Sequence, residues 1–164
     1  MSDSRLFYID GRWVEPAQSN DFEVINPSTE EVCDVISLGA EADTNAAVEA
    51  ARRAFESWSQ TSKDDRVALL EKLLAIYSDR ADEMAQAIST EMGAPIALSR
   101  TAQCGAGAAH IKNLIRALKA YEFERPLNDR ALDNRIVHEP VGVCALITPW
   151  NWPMNNSIIQ RAVI

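Results

Sequence analysis

The sequence predicts an α/β fold in which short strands come first, helices follow, and a parallel sheet begins near the end. Residues 6–36 hold short apolar runs separated by turn residues, which is typical of strands. Residues 42–121 repeat apolar side chains every three or four positions, which indicates amphipathic helices. Residues 141–147 are an almost wholly apolar run, which is typical of a strand buried on both faces.

The opening strands are expected to form a small antiparallel β-meander. Asp10 and Gly11 separate the first two apolar runs, and Asp-Gly accepts the positive φ values of a type I′ hairpin turn. The Asn-Pro-Ser sequence at residues 26–28 separates two further runs. Turn residues at both places favour short connections between neighbouring strands.

The helical stretch contains recognisable start and stop signals. Ser62 followed by Asp65 resembles a capping box, which marks the start of a helix. Gly93 is a C-cap candidate, and Pro95 prevents simple continuation, so a last helix is expected from about Pro95 to Tyr121. The apolar stripes include Val48, Ala51, Phe55 and Trp58, then Val67, Leu70, Leu74 and Tyr77, then Ile111, Leu114, Leu118 and Tyr121.

The last part of the chain reads as two strands and the start of a helix. Residues 135–139 form the first strand in this prediction, residues 141–147 form the second, and a helix starts at Pro153, where the missing N–H costs nothing. One buried strand cannot form a parallel sheet without partners. We therefore expect the chain to be the opening section of a longer α/β protein, truncated after one strand and a helix start.

Composition excludes several classes of protein. The chain has 164 residues, 47% of them hydrophobic, and a formal net charge of −8, so it is expected to be globular, with neither nucleic acid nor an anionic membrane as its main partner. Its apolar runs fall short of the ~20 residues of a membrane helix, and its first residues resemble no secretory signal. Cys33, Cys104 and Cys144 are far apart, which suggests a cytoplasmic location.

The segment Thr-Pro-Trp-Asn-Trp-Pro at residues 148–153 is the main candidate for chemistry. It follows the predicted buried strand, and ligands of open α/β sheets bind at that end. Asn151 offers an amide donor held between tryptophans and prolines, which suits an oxyanion hole. The alternative is that Asn151 caps a helix and the tryptophans belong to the core.

Several short motifs, taken in order, resemble the amino-terminal part of the NAD(P)-dependent aldehyde dehydrogenase superfamily. The motifs are YIDGRWV at residues 8–14, VINPST at 24–29, STEMGAP at 89–95, EPVGV at 139–143 and ITPWNWP at 147–153. The resemblance implies an α/β protein whose Rossmann-like sheet would begin at residues 141–147. It also implies NAD or NADP as cofactor and a small-molecule aldehyde as substrate, and it favours neither cofactor over the other.

The resemblance implies roles for individual residues. Asn151 would donate its side-chain amide to the oxyanion of the reacting aldehyde, and Ile147, Thr148, Pro149 and Trp150 would line the cofactor cleft. A structural monovalent cation would be bound by main-chain oxygens of Val24 and Ile25 and by the carboxylate of Glu91. Oxygen ligands suit a hard cation, but Glu91 also fits a solvated acid at a helix end.

The resemblance also implies a division of the chain and two alternative functions. Residues 1–122 would be the strands and helices that open the cofactor domain, residues 123–140 a strand segment used to form a homodimer or tetramer, and residues 141–164 the start of the Rossmann-like core. The parent protein would oxidise an aldehyde to a carboxylic acid. Because the family's nucleophilic cysteine and general-base glutamate lie further downstream, the alternative is a catalytically inactive fragment or a helical interaction module.

Other chemically suggestive residues receive structural interpretations. Cys144 is expected to be buried in its strand and therefore inert. Gly105 and Gly107 lie within a helix and lack a third glycine, so they favour close helix packing over a dinucleotide fingerprint. His110 and His138 have no partner at metal-ligand spacing.

Overall fold

The computed structural model describes residues 4–130 and 133–155, in which hairpins flank a layer of helices. The strands are β1 (Phe7–Ile9), β2 (Arg12–Val14), β3 (Asp21–Asn26), β4 (Glu31–Ser37), β5 (Glu124–Pro126) and β6 (Arg135–Val137). The α-helices are α1 (Glu41–Trp58), α2 (Lys63–Asp79), α3 (Ala81–Met92), α4 (Ile96–Leu98) and α5 (Cys104–Ala120). This order of strands and helices confirms the predicted mixture.

The predicted antiparallel strands are present, but they form two separate hairpins instead of one meander. β1 pairs with β2, and β3 pairs with β4. Asp10 and Gly11 have φ values of 55° and 75°, as the Asp-Gly turn requires. The connection from β2 to β3 comprises residues 15–20 and includes Pro16.

Helix ends follow the side chains that can satisfy free backbone groups. The Ser62 hydroxyl accepts a hydrogen bond from the Asp65 amide at 3.1 Å at the start of α2, which confirms the predicted cap. α3 ends at Gly93, whose φ of 78° is left-handed. At the start of α1, the Asp43 carboxylate accepts bonds from the Ala17 and Ala40 amides, both at 2.8 Å, and these bonds lower the pKa of Asp43.

The expected last helix is interrupted by one wider turn. α4 leads into a π-helical turn at Ser99–Gln103, which continues directly into α5. The Ser99 and Gln103 side chains are almost fully buried. The extra residue of a π turn changes which side chains face the neighbouring helices, so the register of α5 differs from that of a continuous helix.

The core lies between the helices and has two parts. The first is a cluster of Val67, Ile111 and Ile115, where α2 packs against α5. The second is a cluster of Ala85, Ile88, Ala94 and Cys104, where α3 meets the start of α5. Met154 packs against both clusters, so the end of the described chain is attached to the helical layer.

The apolar run at residues 141–147 forms no strand in the described part of the chain, which corrects the prediction. Val141 is 92% exposed and Ile147 is 87% exposed. A strand of this type needs a hydrogen-bonded neighbour and a covering layer on each face, and residues 4–130 and 133–155 supply neither to it. Cys144 is exposed for the same reason, so the expectation of a buried thiol was also wrong.

The chain on either side of this run behaves as predicted. β6 (Arg135–Val137) pairs with β5 (Glu124–Pro126), and an ion pair joins Arg135 to Glu124 across the hairpin. A helix begins at Pro153 and continues to Asn155. The rest of that expected helix, at residues 156–164, lies outside the described residues. No helix in the described ranges is long and apolar enough to cross a membrane.

Candidate active site

Asn151 lies on an exposed bend one residue before the position that caps the last helix. Residues 150–152 form the bend, and the helix begins at Pro153. The described start of the helix therefore places Trp152, and not Asn151, at the N-cap position. The neighbouring Trp150 is 76% exposed, so this tryptophan does not belong to the core of the described chain.

The turn that follows Asn151 is attached to the helical layer by two adjacent residues. Met154 packs against the apolar clusters of α2, α3 and α5. The side chain of Asn155 forms a hydrogen bond of 2.6 Å, through Oδ1, with Nε2 of His110 on α5. An exposed bend is thus held by partly buried contacts three and four residues further along the chain.

Gly107 makes room for this attachment. A Cβ at this position would lie 2.5 Å from the Tyr77 hydroxyl and 3.3 Å from the Cβ of Met154. The Tyr77 hydroxyl is itself fixed, because it donates a hydrogen bond of 2.9 Å to the Cys104 carbonyl. Burial of this phenol raises the pKa of Tyr77 above its usual range. The predicted packing role is therefore confirmed for Gly107, which admits Tyr77 and Met154, and is wrong for Gly105, where a Cβ would meet nothing within 4 Å.

The four residues assigned to the cofactor cleft form an open surface next to Asn151. Ile147, Thr148, Pro149 and Trp150 are all exposed, and Ile147 and Trp150 present large apolar side chains. Exposed apolar side chains beside an amide donor can pack against an aromatic ring system and leave the amide to bind an oxygen. A cavity of about 540 Å³ lies elsewhere, between the α1–α2 connection and residues 138–144.

The three candidate cation ligands lie on two elements that contact each other. Val24 and Ile25 flank an irregularity in the register of β3, and α3, which carries Glu91, packs against β3. Gly93 allows this approach, since a Cβ there would lie 2.6 Å from Cγ of Pro27. The described residues contain no group of three or more His, Cys, Asp or Glu side chains that could hold a metal ion, and a site built mainly from carbonyl oxygens needs none.

Electrostatics at Glu91 are unfavourable for its negative charge. Partial desolvation and the nearby charge of Asp34 raise the pKa of Glu91. Asp34 remains ionised more easily, because bonds from the Ser4 hydroxyl and the Val35 amide lower the pKa of Asp34. The two carboxylates repel each other, and the positive charge of Arg5 offsets part of this repulsion, because Arg5 also lowers the pKa of Asp34.

The residues that hold the Asn151 bend were not identified from the sequence. Met154 and Asn155 directly follow the motif, but their partners on α2 and α5 are far away in the sequence. The spacing of His110 in the sequence addresses only metal binding, although a histidine also forms ordinary hydrogen bonds.

Comparisons with known proteins agree with the order of these elements. The model of the aldehyde dehydrogenase family matches residues 13–163. The 3-succinoylsemialdehyde-pyridine dehydrogenase of a Pseudomonas species is 49% identical over 156 residues, which are 94% of this chain and 32% of that protein. The chain thus spans about a third of the length of the curated relatives it matches.

Solved structures show the same relationship in three dimensions. A variant of aldehyde dehydrogenase C from Pseudomonas syringae, solved with NAD⁺ and octanal, superposes with a TM-score of 0.90 at 40% identity, over 95% of this chain and 31% of that one. An aldehyde dehydrogenase from Bartonella henselae gives a TM-score of 0.84 at 41% identity, over 96% of this chain and 33% of that one. The matched family model and the shared fold lead to one conclusion: the chain belongs to the aldehyde dehydrogenase family.

Proposed function

We propose that this chain supplies the amino-terminal third of an enzyme that oxidises an aldehyde to a carboxylic acid with NAD⁺ or NADP⁺. The observation that carries the proposal is the exposed amide of Asn151, held on a bend that is attached to the helical core through Met154 and Asn155. Two further findings support the proposal. The chain belongs to the aldehyde dehydrogenase family, and the Pseudomonas syringae relative was solved with NAD⁺ and octanal.

Asn151 would act on the oxygen of the aldehyde. When a nucleophile from the rest of the enzyme adds to the carbonyl carbon, the carbonyl oxygen gains negative charge. A side-chain N–H placed in advance at that oxygen stabilises the charge more in the transition state than in the ground state. Asn151 therefore contributes a donor to catalysis and transfers no proton itself.

Residues 147–150 would form one wall of the cofactor site. Ile147 and Trp150 offer exposed apolar surface, and this surface adjoins the Asn151 amide along the chain. NAD(P)⁺, when bound, accepts the hydride that leaves the aldehyde carbon. The role of this chain is to hold the cofactor beside the donor and to exclude water from that side.

A monovalent cation bound by the Val24 and Ile25 carbonyls and the Glu91 carboxylate is the second part of the proposal. The observation in favour is that partial desolvation and the charge of Asp34 disfavour the ionised form of Glu91, which a bound cation would offset. K⁺ or Na⁺ should raise the melting temperature above that in tetramethylammonium chloride at equal ionic strength. The difference should disappear in Glu91→Gln, and an equal response of both proteins would contradict the site.

Residues 123–140 would contribute to a homodimer or tetramer of the full-length enzyme. The described part of this segment is the β5–β6 hairpin, which leaves Leu127 48% exposed and Val137 55% exposed. An exposed hairpin with apolar side chains offers strand edges to a second copy. In the chimera described next, Val137→Asp should shift the species seen by sedimentation towards monomer, and an unchanged distribution would exclude the hairpin from the interface.

A chimera tests the proposed activity. The chain would replace the matching third of the Pseudomonas 3-succinoylsemialdehyde-pyridine dehydrogenase, which is 49% identical. We expect aldehyde-dependent reduction of NAD(P)⁺ by the chimera and none by the 164-residue chain alone. A correctly folded chimera that binds cofactor but reduces none would contradict the proposal, and turnover by the chain alone would show that it carries its own nucleophile.

A further inference from the structure

The turn after Asn151 is tied to α5 by a hydrogen bond between residues 45 positions apart. Nε2 of His110 and Oδ1 of Asn155 are 2.6 Å apart, and both side chains are partly buried. Because an amide oxygen only accepts, this bond requires a proton on Nε2 of His110. A short, partly buried bond of this kind has a defined direction.

The contact made by Met154, the residue before Asn155, lacks the directionality of this hydrogen bond. The Met154 side chain packs against the apolar clusters and holds the turn there. Apolar contact is non-directional, so the turn could still rotate about the Met154 side chain. The His110–Asn155 bond, one residue further on, opposes that rotation. Pro153 restricts the backbone φ on the other side of Met154, so a change at Asn155 is transmitted towards Asn151 through a short, stiff connection.

We propose that His110 is a positioning residue for Asn151: its bond to Asn155 sets the rotation of the turn and thereby the direction of the Asn151 amide. This inference rests on the proposed function of Asn151 as an oxyanion donor, because such a donor must be aimed before charge develops. His110 itself does not touch the reacting atoms.

The test uses the two tryptophans that flank Asn151 as reporters. The 164-residue chain is labelled with 5-fluorotryptophan, and its four tryptophans, Trp13, Trp58, Trp150 and Trp152, are assigned by single Trp→Phe changes. In His110→Leu, the fluorine signals of Trp150 and Trp152 should shift or broaden, while those of Trp13 and Trp58 stay unchanged. Asn155→Leu should give the same pattern.

Conservative and remote variants separate positioning from general loss of structure. Asn155→Asp keeps an acceptor for Nε2–H and should retain the wild-type signals, and so should Lys112→Ala, an exposed position on the same helix. In ¹⁵N spectra, Nε2 of His110 should carry a proton in the wild type. The fraction of His110→Leu molecules in which the turn has separated from α5 should be roughly two- to tenfold higher than in the wild type, as expected for the loss of one hydrogen bond.

Three results would overturn the inference. They are unchanged Trp150 and Trp152 signals in His110→Leu, changes of equal size at all four tryptophans, and a wild-type spectrum in which Trp150 and Trp152 are already as mobile as in the variants. The fluorine spectra require no turnover. A failure here would therefore leave the kinetic test of Asn151 intact, and a failure of that test would leave the His110 contact intact.

Discussion

The helical layer and residues 138–152 contain similar apolar side chains but bury them very differently. Ile111 and Ala85 are fully buried in the helical layer, whereas Val141 is 92% exposed and Ile147 is 87% exposed. An amphipathic helix has one apolar stripe, and a neighbouring helix in the same stretch of chain can cover it. A strand buried on both faces needs neighbours in several directions, and the described part of this chain does not provide them.

The largest expected effect is a loss of stability that occurs in only one of the two regions. Ile111→Ala should lower the free energy of unfolding by about 2–5 kcal/mol, because it leaves a cavity in the core between α2 and α5. Val141→Ala should change it by less than about 0.5 kcal/mol, since this side chain is exposed. Urea denaturation of the 164-residue chain measures both, and equal losses would mean that residues 141–147 are covered in solution.

A larger side chain at Gly107 should weaken the contact between α5 and the turn that contains Met154, where the two regions meet. Gly107→Ala would place a methyl group against Tyr77 and Met154, and overpacking of this kind costs roughly 1–3 kcal/mol. Gly105→Ala is the matched control, because a Cβ at that exposed position on α5 meets nothing within 4 Å. The control should gain about 0.5–1 kcal/mol from the higher helix propensity of alanine.

Opposite signs in the same denaturation experiment would confirm that Gly107 serves packing. If Gly107→Ala is more stable than the wild type, Met154 does not pack closely against α5, and α5 does not hold the turn beside Asn151. The fluorine signals of Trp150 and Trp152 in Gly107→Ala provide a second measurement of whether the turn stays attached to α5.

The contrast between the regions also explains which features the sequence could predict. The Ser62 cap, the Gly93 cap and the Asp10-Gly11 turn depend on neighbouring residues, and the structure confirms all three. The strand at residues 141–147 depends on distant partners, so its apolar pattern alone predicted a paired strand that the described chain does not form. His110 and Asn155 were missed because a contact across 45 positions leaves no periodic signal.

A smaller effect is expected in the pH dependence of stability. The pKa of Glu91 is raised in the folded state, so the native chain holds this proton more tightly than the unfolded chain does. The contribution of Glu91 to the free energy of unfolding should be fully present below pH 4.5, the ordinary pKa of a glutamate. It should be lost as the pH rises through the higher pKa that Glu91 has in the folded state. The effect should be small, because Glu91 retains contact with water.

Glu91→Gln should lack this decrease and should be at least as stable as the wild type at pH 7. Melting curves between pH 3.5 and 7.5, recorded in tetramethylammonium buffers to keep K⁺ and Na⁺ from the candidate site, give the comparison. Identical slopes for the two proteins would show that Glu91 is not the titrating group.

The central claim is that Asn151 is a donor for the oxyanion, and turnover of the chimera tests it most directly. Asn151→Ala should lower kcat by roughly 10²–10³, equivalent to about 2.7–4 kcal/mol, with little change in the Kd for the cofactor. Asn151→Asp should be at least as harmful, because a carboxylate replaces the donor with a negatively charged acceptor. If the Asp variant instead keeps wild-type kcat, the side-chain N–H of residue 151 is not needed for turnover and the oxyanion assignment is wrong.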